Sequence, residues 1–289
     1  MTFDRAPGAV FGRIIGITVQ CRPERELFVP SSPATEAELG RALADGEFVL
    51  VYQPVYDLGG LSLVGFEALL RWNHPSLGQI QPDAFLPALE ASGLIVEVGR
   101  WVLLEACRQM AGWRGAGSPL TMSVNVSARQ LSRDGLVDDV REALEQSGLE
   151  PTALSIEVVE TALLNGPEAT ARRLHRLKKL GAKVAIDDFG TGYSSLAYLR
   201  QFPVDCLKID RTFIEAITRS PQADALIHNL VQLGVDLGVK TVAEGVETTE
   251  QMTQLRTENV NSVQGFLFAR PLTVDAIDAD ILRVDPERA

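Results

Sequence analysis

Between residues 120 and 283, strand-like and helix-like segments alternate with a regularity that few folds accommodate. Short apolar, β-branched runs lie at 120–126, 154–160, 183–187, 205–209, 240–244 and 262–266. Helical patterns lie at 135–147, 168–180, 195–200, 222–237, 248–257 and 274–283. Each spacing is long enough for a helical crossover, so these strands run parallel. Two more strands precede them, Phe48 to Tyr56 and Leu61 to Trp72, with helices expected at 34–45, 82–92 and 97–115. Only the short Gly59-Gly60 turn separates the first two strands, which suits a hairpin and makes them antiparallel. The stretch with Pro75, Gly78 and Pro82 reads as a loop. Eight strands in this order close naturally into a barrel. The expected class is α/β, a modified TIM (β/α)8 barrel with an antiparallel first strand.

Polar residues sit inside the apolar strands in a repeated way. The second strand carries Glu67 in F-E-A-L-L-R-W, with Arg71 four residues on. The third ends at Asn125 in S-V-N-V-S, and the fourth carries Glu157 and Glu160 in I-E-V-V-E-T. The fifth ends in I-D-D-F-G-T-G-Y-S-S, with Asp187 and Asp188 adjacent. Lys208 and Asp210 follow in L-K-I-D, Glu244 in V-A-E-G-V-E, and Gln264 in V-Q-G-F. One such residue caps a loop or faces water. Seven consecutive strands doing the same point to the barrel mouth, where such folds carry their chemistry. Carboxylates gathered there repel unless a cation neutralises them. Oxygen ligands from Glu, Asp and Asn suit Mg²⁺ or Mn²⁺ rather than zinc or copper. Neighbours on a strand point to opposite faces, so Asp187 and Asp188 serve one site only where the strand gives way to a loop. Gly190 is expected to allow that turn. One of the two carboxylates then bridges a pair of ions about 3.5–4 Å apart.

Composition narrows the function classes. The 289 residues, 46% of them apolar, suffice for one large domain. A net charge of −11 argues against a groove binder of duplex nucleic acid, which needs a basic stripe. Six basic residues between Arg172 and Lys183 read as the solvated face of one helix. Cys21, Cys107 and Cys206 are far apart, as are His74, His175 and His228, so no zinc site or disulfide framework is suggested. A reducing cytoplasm is the simplest setting. No apolar run is long enough to span a membrane. Residues 1–33, punctuated by Pro23, Pro30 and Pro33, read as an extension or linker of unknown role. The domain is expected to run from 34 to 284, with a tail at 285–289.

The ordered set of motifs resembles the EAL family, bacterial phosphodiesterases of cyclic di-GMP. Tyr52-Gln53-Pro54, Glu67-Ala68-Leu69 with Arg71, Asn125-Val126-Ser127, the loop from Asp187 to Leu196, Lys208-Ile209-Asp210, Ala243-Glu244-Gly245-Val246-Glu247 and Gln264-Gly265-Phe266 carry it, from about Ala34 to Leu272. The resemblance implies a metal shell of Glu67, Asn125, Glu157 and Asp187. Asp187 would bridge to a second ion, also held by Asp188 and Glu244. It implies Lys208 and Glu244 as catalytic residues, with Lys208 against the attacking water and either one as its base. It implies Gln53, Arg71 and Gln264 as substrate contacts, Glu160 as anchor of the glycine loop and Glu247 as support for the end of the seventh strand. It further implies two Mg²⁺ or Mn²⁺ ions, inhibition by Ca²⁺, and a homodimer formed beside the glycine loop. The reaction would open cyclic di-GMP to linear pGpG. One departure is visible: Val159 stands where the family's fourth-strand motif has Thr, which removes a hydroxyl beside the loop anchor. Two other readings stand beside this one. The first is a non-catalytic cyclic di-GMP receptor acting through protein contacts. The second is an interaction scaffold that uses the N-terminal segment and binds no nucleotide.

Overall fold

The computed structural model describes residues 34–114, 119–191, 199–217 and 219–280. The extension at 1–33, the tail at 285–289, the glycine loop beyond Thr191 and most of the helix expected at 195–200 lie outside the described residues. Among the described residues nine strands form one sheet: β1 (Phe48–Asp57), β2 (Leu63–His74), β3 (Gly78–Ile80), β4 (Thr121–Val126), β5 (Leu154–Val159), β6 (Lys183–Phe189), β7 (Cys206–Ile209), β8 (Lys240–Ala243) and β9 (Ser262–Val263). The order β1-β9-β8-β7-β6-β5-β4-β2 closes through a β1–β2 pairing, so eight strands make a barrel. β1 is antiparallel to both its neighbours, and the other barrel pairs are parallel. The short β9 closes the barrel weakly by itself. A two-way backbone bridge between Tyr52 and Leu272, 2.8 Å in each direction, extends the closure.

Two details differ from the sequence reading. The β1–β2 connection is longer than a two-glycine turn, because β1 runs to Asp57 and β2 begins at Leu63. The Asp57 carboxylate accepts from the Gly60 N–H at 2.7 Å and its carbonyl from the Leu61 N–H at 2.8 Å, which holds the wider turn. The stretch read as a loop after β2 contains β3, which folds back on Trp72 to His74 outside the barrel. Three residues are too few to show a strand period.

The helices around the barrel are α1 (Glu36–Ala44), α2 (Leu86–Ser92), α3 (Ile95–Arg114), α4 (Ala128–Leu131), α5 (Leu136–Ser147), α6 (Pro167–Leu180), α7 (Arg211–Ala216), α8 (Pro221–Leu237), α9 (Thr249–Thr257) and α10 (Val274–Asp280). None of the described helices is long and apolar enough to cross a membrane. α1 starts on a capping box between Thr35 and Glu38. α3 buries Val98, Val102, Ala106 and Met110 at helical spacing, and its Trp113 packs edge-on to Tyr52 and against Phe66 at 5.0 and 4.7 Å. Tyr52 and Phe66 face this helix layer, so strand alternation turns their neighbours Gln53 and Glu67 into the lumen, directly opposite each other. The basic residues of α6 are partly paired, Arg173 to Asp134 and Lys178 to Asp205.

Candidate metal centre

The same alternation repeats around the barrel. Phe66, Val124, Ile156, Ile186, Leu207, Ala243 and Val263 are each at most 1% exposed, and each is followed by a polar residue. Those seven followers are Glu67, Asn125, Glu157, Asp187, Lys208, Glu244 and Gln264. Packing of the first set against the helices fixes the second set in the lumen.

The lumen groups form one contact network. Asn125 Nδ2 donates to Glu67 Oε1 at 2.6 Å, which leaves Asn125 Oδ1 available as an oxygen ligand. Gln264 Nε2 donates to Glu67 Oε2 at 2.7 Å and to Gln53 Oε1 at 3.0 Å, and Gln53 Nε2 donates to the Ala269 carbonyl at 3.3 Å. Gln264 Oε1 is buried with no hydrogen-bond partner. Lys208, 3% exposed, brings Nζ to 2.6 Å from both Glu157 and Glu244, 3.2 Å from Asp187 and 3.4 Å from Glu67. Four carboxylates thus share one ammonium.

Two triads of carboxylate oxygens gather closely enough to hold an ion, each within 4.8 Å: Glu67 with Glu157 and Asp187, and Asp187 with Asp188 and Glu244. Asp187 belongs to both. Charge supports the fit. Fully ionised, these five carboxylates carry −5 and Lys208 +1, a surplus of −4 that two divalent cations match. The all-oxygen donor set is the chemistry of a hard cation.

The titration directions express the same surplus. Burial raises the Glu157 carboxyl well above its usual range; Lys208 opposes this, while Glu67, Asp187 and Glu244 add to it. Burial, offset in part by Lys208, pushes Glu244 up to about 8. Burial and then the Asp187 and Asp210 charges push Asp188 up to about 6. Burial also acts on Glu67, but Lys208 and the bonds from Gln264 and Asn125 outweigh it and hold the group low. Burial disfavours the Lys208 ammonium, yet Glu157 and Glu244 overcome it and hold the proton firmly.

A pH dependence follows. Glu244 and Asp188 carry protons at low pH in the metal-free protein, and an ion binds their ionised forms. With Mn²⁺ as the probe, the apparent affinity is therefore expected to rise from pH 6 to pH 8, with proton release. Calorimetric Mn²⁺ titrations in buffers of different ionisation enthalpy measure both. A pH-independent isotherm without proton release would contradict this charge balance.

Asp187 and Asp188 meet one site by a route other than the expected turn at Gly190. β6 continues to Phe189, and the β6–β7 register shifts between Ile186 and Phe189. Asp188 itself takes the left-handed conformation, with φ +53. This is a bulge, which re-aims one side chain within a continuing strand. Such a backbone costs a non-glycine residue roughly 1–2 kcal/mol, so its surroundings must hold it. The Asp188 N–H donates to Asp187 Oδ1 at 3.0 Å, and Thr191 Oγ1 donates back to the Asp188 carbonyl at 2.8 Å. The Gly190 N–H donates to Glu160 Oε2 at 2.7 Å. Val159 lies in register with Asp187 and packs on the core.

Beside the carboxylates opens a cavity of about 250 Å³ lined by Gln53, Glu67, Glu244 and Gln264, with Arg211, Glu247 and Phe266 among its other walls. Arg71 shares the Glu67 face of β2, four residues toward the mouth, and donates to the Leu70 carbonyl at 2.8 Å. Glu247 is exposed on the cavity wall. Support at the end of β8 comes from Gln251, which accepts from the Glu247 and Thr248 N–H groups at 2.8 and 3.0 Å and donates to the Ile214 carbonyl at 3.1 Å. Sequence reasoning missed Gln251 and Arg211, and it named Phe266 in the Gln264-Gly265-Phe266 motif without giving it a role. Phe266 is 49% exposed, and the Arg270 guanidinium sits 4.4 Å over its ring. The only sequence signal for it is an aromatic residue directly after Gln264-Gly265.

Comparison with known proteins bears on this centre. The family model of the EAL domain matches residues 36–271. A cyclic di-GMP phosphodiesterase of Pseudomonas aeruginosa, NbdA, is 45% identical over 84% of this chain and 31% of its own length. PdeR of Escherichia coli, also named a cyclic di-GMP phosphodiesterase, is 37% identical over 84% of this chain and 37% of its own length. The chain thus spans about a third of the length of the curated relatives it matches. Among solved structures, the PaMucR phosphodiesterase in complex with c-di-GMP superposes with a TM-score of 0.81 at 45% identity, covering 83% of this chain and 98% of that one.

Proposed function

Because the chain belongs to the EAL-domain family, we propose that it hydrolyses cyclic di-GMP to linear pGpG with two divalent ions, Mg²⁺ or Mn²⁺. The observation that carries this is the pair of carboxylate triads sharing Asp187, with the charge surplus that two such ions match. Glu67, Asn125, Glu157 and Asp187 hold one ion; Asp187, Asp188 and Glu244 hold the other. When bound, such ions lower the pKa of a water and neutralise phosphoryl oxygens.

The chain's own groups divide the remaining work. In hydrolysis a water oxygen forms a bond to phosphorus, the bond from phosphorus to the 3′ oxygen breaks, and the proton lost by the water ends on that oxygen, which leaves as a hydroxyl. Lys208 is held protonated by its carboxylates, so it serves as a fixed positive charge and hydrogen-bond donor. Glu244, a carboxylate 2.6 Å from the Lys208 ammonium, is the other of the two and accepts the water's proton. Gln53 and Arg71 offer amide and guanidinium donors to the substrate, and the unpartnered Gln264 Oε1 offers an acceptor. The exposed Phe266 ring is an apolar platform of the kind on which a base stacks. Glu160 anchors the glycine loop through Gly190. The domain spans residues 34 to 284. A homodimer beside this loop and a cytoplasmic setting complete the reading. Leu164, an exposed apolar residue close to Glu160 in sequence, is consistent with such a contact.

The test is hydrolysis of cyclic di-GMP with Mg²⁺ or Mn²⁺. Wild type is expected to release pGpG, and Glu67→Ala to lose turnover by at least about 10²–10³-fold, the scale of losing one preorganised electrostatic group. Calcium in place of either ion is expected to leave binding without turnover. Tight binding with no product from wild type in any of these ions would overturn the proposal in favour of a receptor.

A further inference from the structure

We infer that Phe213, on α7, is the positioning residue that keeps Asp188 in its bulged, site-facing conformation. The inference rests on the metal assignment proposed above. Gly190 follows the bulge by two residues and has φ +100. A Cβ on it would lie 2.9 Å from Phe213 Cε2, 3.1 Å from Phe213 Cζ and 3.4 Å from Leu230 Cδ1. The ring of Phe213 is therefore pressed against the backbone of Gly190, with Leu230 of α8 beside it. Glu160 holds the same residue through its N–H. The chain leaving Asp188 is thus fixed at Gly190 by both a carboxylate and an aromatic ring.

α7 is well placed to transmit this. Its N-cap, Asp210, accepts from the Thr212 N–H at 3.0 Å, and the Phe213 N–H donates to the Asp210 carbonyl at 3.1 Å. Asp210 closes β7 two residues after Lys208, so the ring hangs from the strand that carries the central ammonium. Without the ring, Gly190 gains room on the side where it is packed. Glycine has many conformations available, so the constraint on its neighbour is lost. Asp188 then relaxes toward extended backbone, where alternation directs its side chain away from the face Asp187 uses. The Asp187-Asp188-Glu244 triad loses a member. The Glu67-Glu157-Asp187 triad keeps all of its own.

The experiment is calorimetric titration of Mn²⁺ into the full chain, with no substrate. Wild type is expected to bind two ions. Phe213→Leu is expected to bind the first with unchanged affinity and the second about 10- to 100-fold more weakly, the range for losing a group that orients a ligand. Phe213→Tyr, which keeps the ring, is expected to restore both. Retention of the first ion shows that Phe213→Leu is folded. If that variant does not fold, Leu230→Val loosens the same contact and is expected to weaken the second ion alone. Two ions at wild-type affinity in Phe213→Leu, an equal loss at both sites, or a wild type that binds fewer than two ions would overturn the inference. A wild type that binds two ions but releases no pGpG defeats the proposed reaction and leaves this inference to the isotherm.

Discussion

Lys208→Met is expected to destabilise the metal-free protein by about 3–5 kcal/mol and to abolish turnover, while Mn²⁺ returns most of the stability and none of the activity. The ammonium is 3% exposed and lies within 3.4 Å of four carboxylates. Methionine fills similar space, so the loss is of charge rather than volume. Removing one partner of a buried ion cluster leaves the others without compensation, which is the costly case. Part of the cost is relieved by protonation. Glu157 and Glu244 already have raised pKa values, and without Lys208 both rise further. A carboxyl raised in the folded state opposes folding when it must ionise, so the penalty is small at low pH and grows as pH rises through neutrality. The melting temperature in EDTA should therefore fall by on the order of 10 °C at pH 8 and by less at pH 6. Divalent ions supply the missing charge, so Mn²⁺ should raise the variant's melting temperature more than the wild type's. Equal melting temperatures in EDTA would show that the ammonium does not balance this cluster.

The parts of the molecule legible in the sequence are those set by local pattern. Each lumen residue follows an apolar neighbour, as in Phe66-Glu67, Ile156-Glu157, Ile186-Asp187 and Leu207-Lys208. A period of two then assigns the apolar member to the helices and the polar one to the lumen. The antiparallel β1 was legible because its connection to β2 is too short for a crossover. The features that escaped depend on contacts distant in the chain or on a single backbone angle. The bulge at Asp188 is one φ value in a strand that otherwise continues, and the pair Asp187-Asp188 looks the same either way. Gln251 supports the end of β8 from the next helix, and nothing in T-E-Q-M announces that its amide is buried. Phe213 carries no signal of its own in R-T-F-I-E. Its role is visible only once Gly190, far back in the sequence, is found against its ring.

Asp187→Ala is expected to be the most damaging single substitution at the metal centre, and its comparison with Asp188→Ala tests whether the two triads share a vertex. Asp187 is the one carboxylate belonging to both. Its removal leaves Glu67, Asn125 and Glu157 on one side and Asp188 with Glu244 on the other, and each ion loses the carboxylate they share. Turnover is expected to fall on the order of a thousandfold or more, because two sets of preorganised charge are lost together. Asp188→Ala leaves Glu67, Glu157 and Asp187 intact and should still bind one Mn²⁺. The stabilities should diverge in the opposite sense to the activities. In the metal-free protein Asp187 is part of a carboxylate surplus, so its removal relieves repulsion from Glu157, Glu244 and Asp188, each of which it pushes upward. The metal-free Asp187→Ala protein should accordingly melt no lower than wild type, and Mn²⁺ should scarcely raise it. Two ions bound to Asp187→Ala, or one bound as tightly as in Asp188→Ala, would mean that the sites do not meet at this residue. Stability and activity separate in this way because the centre is built to be incomplete without its ions: the same crowding of carboxylates that strains the metal-free barrel is what makes it bind them.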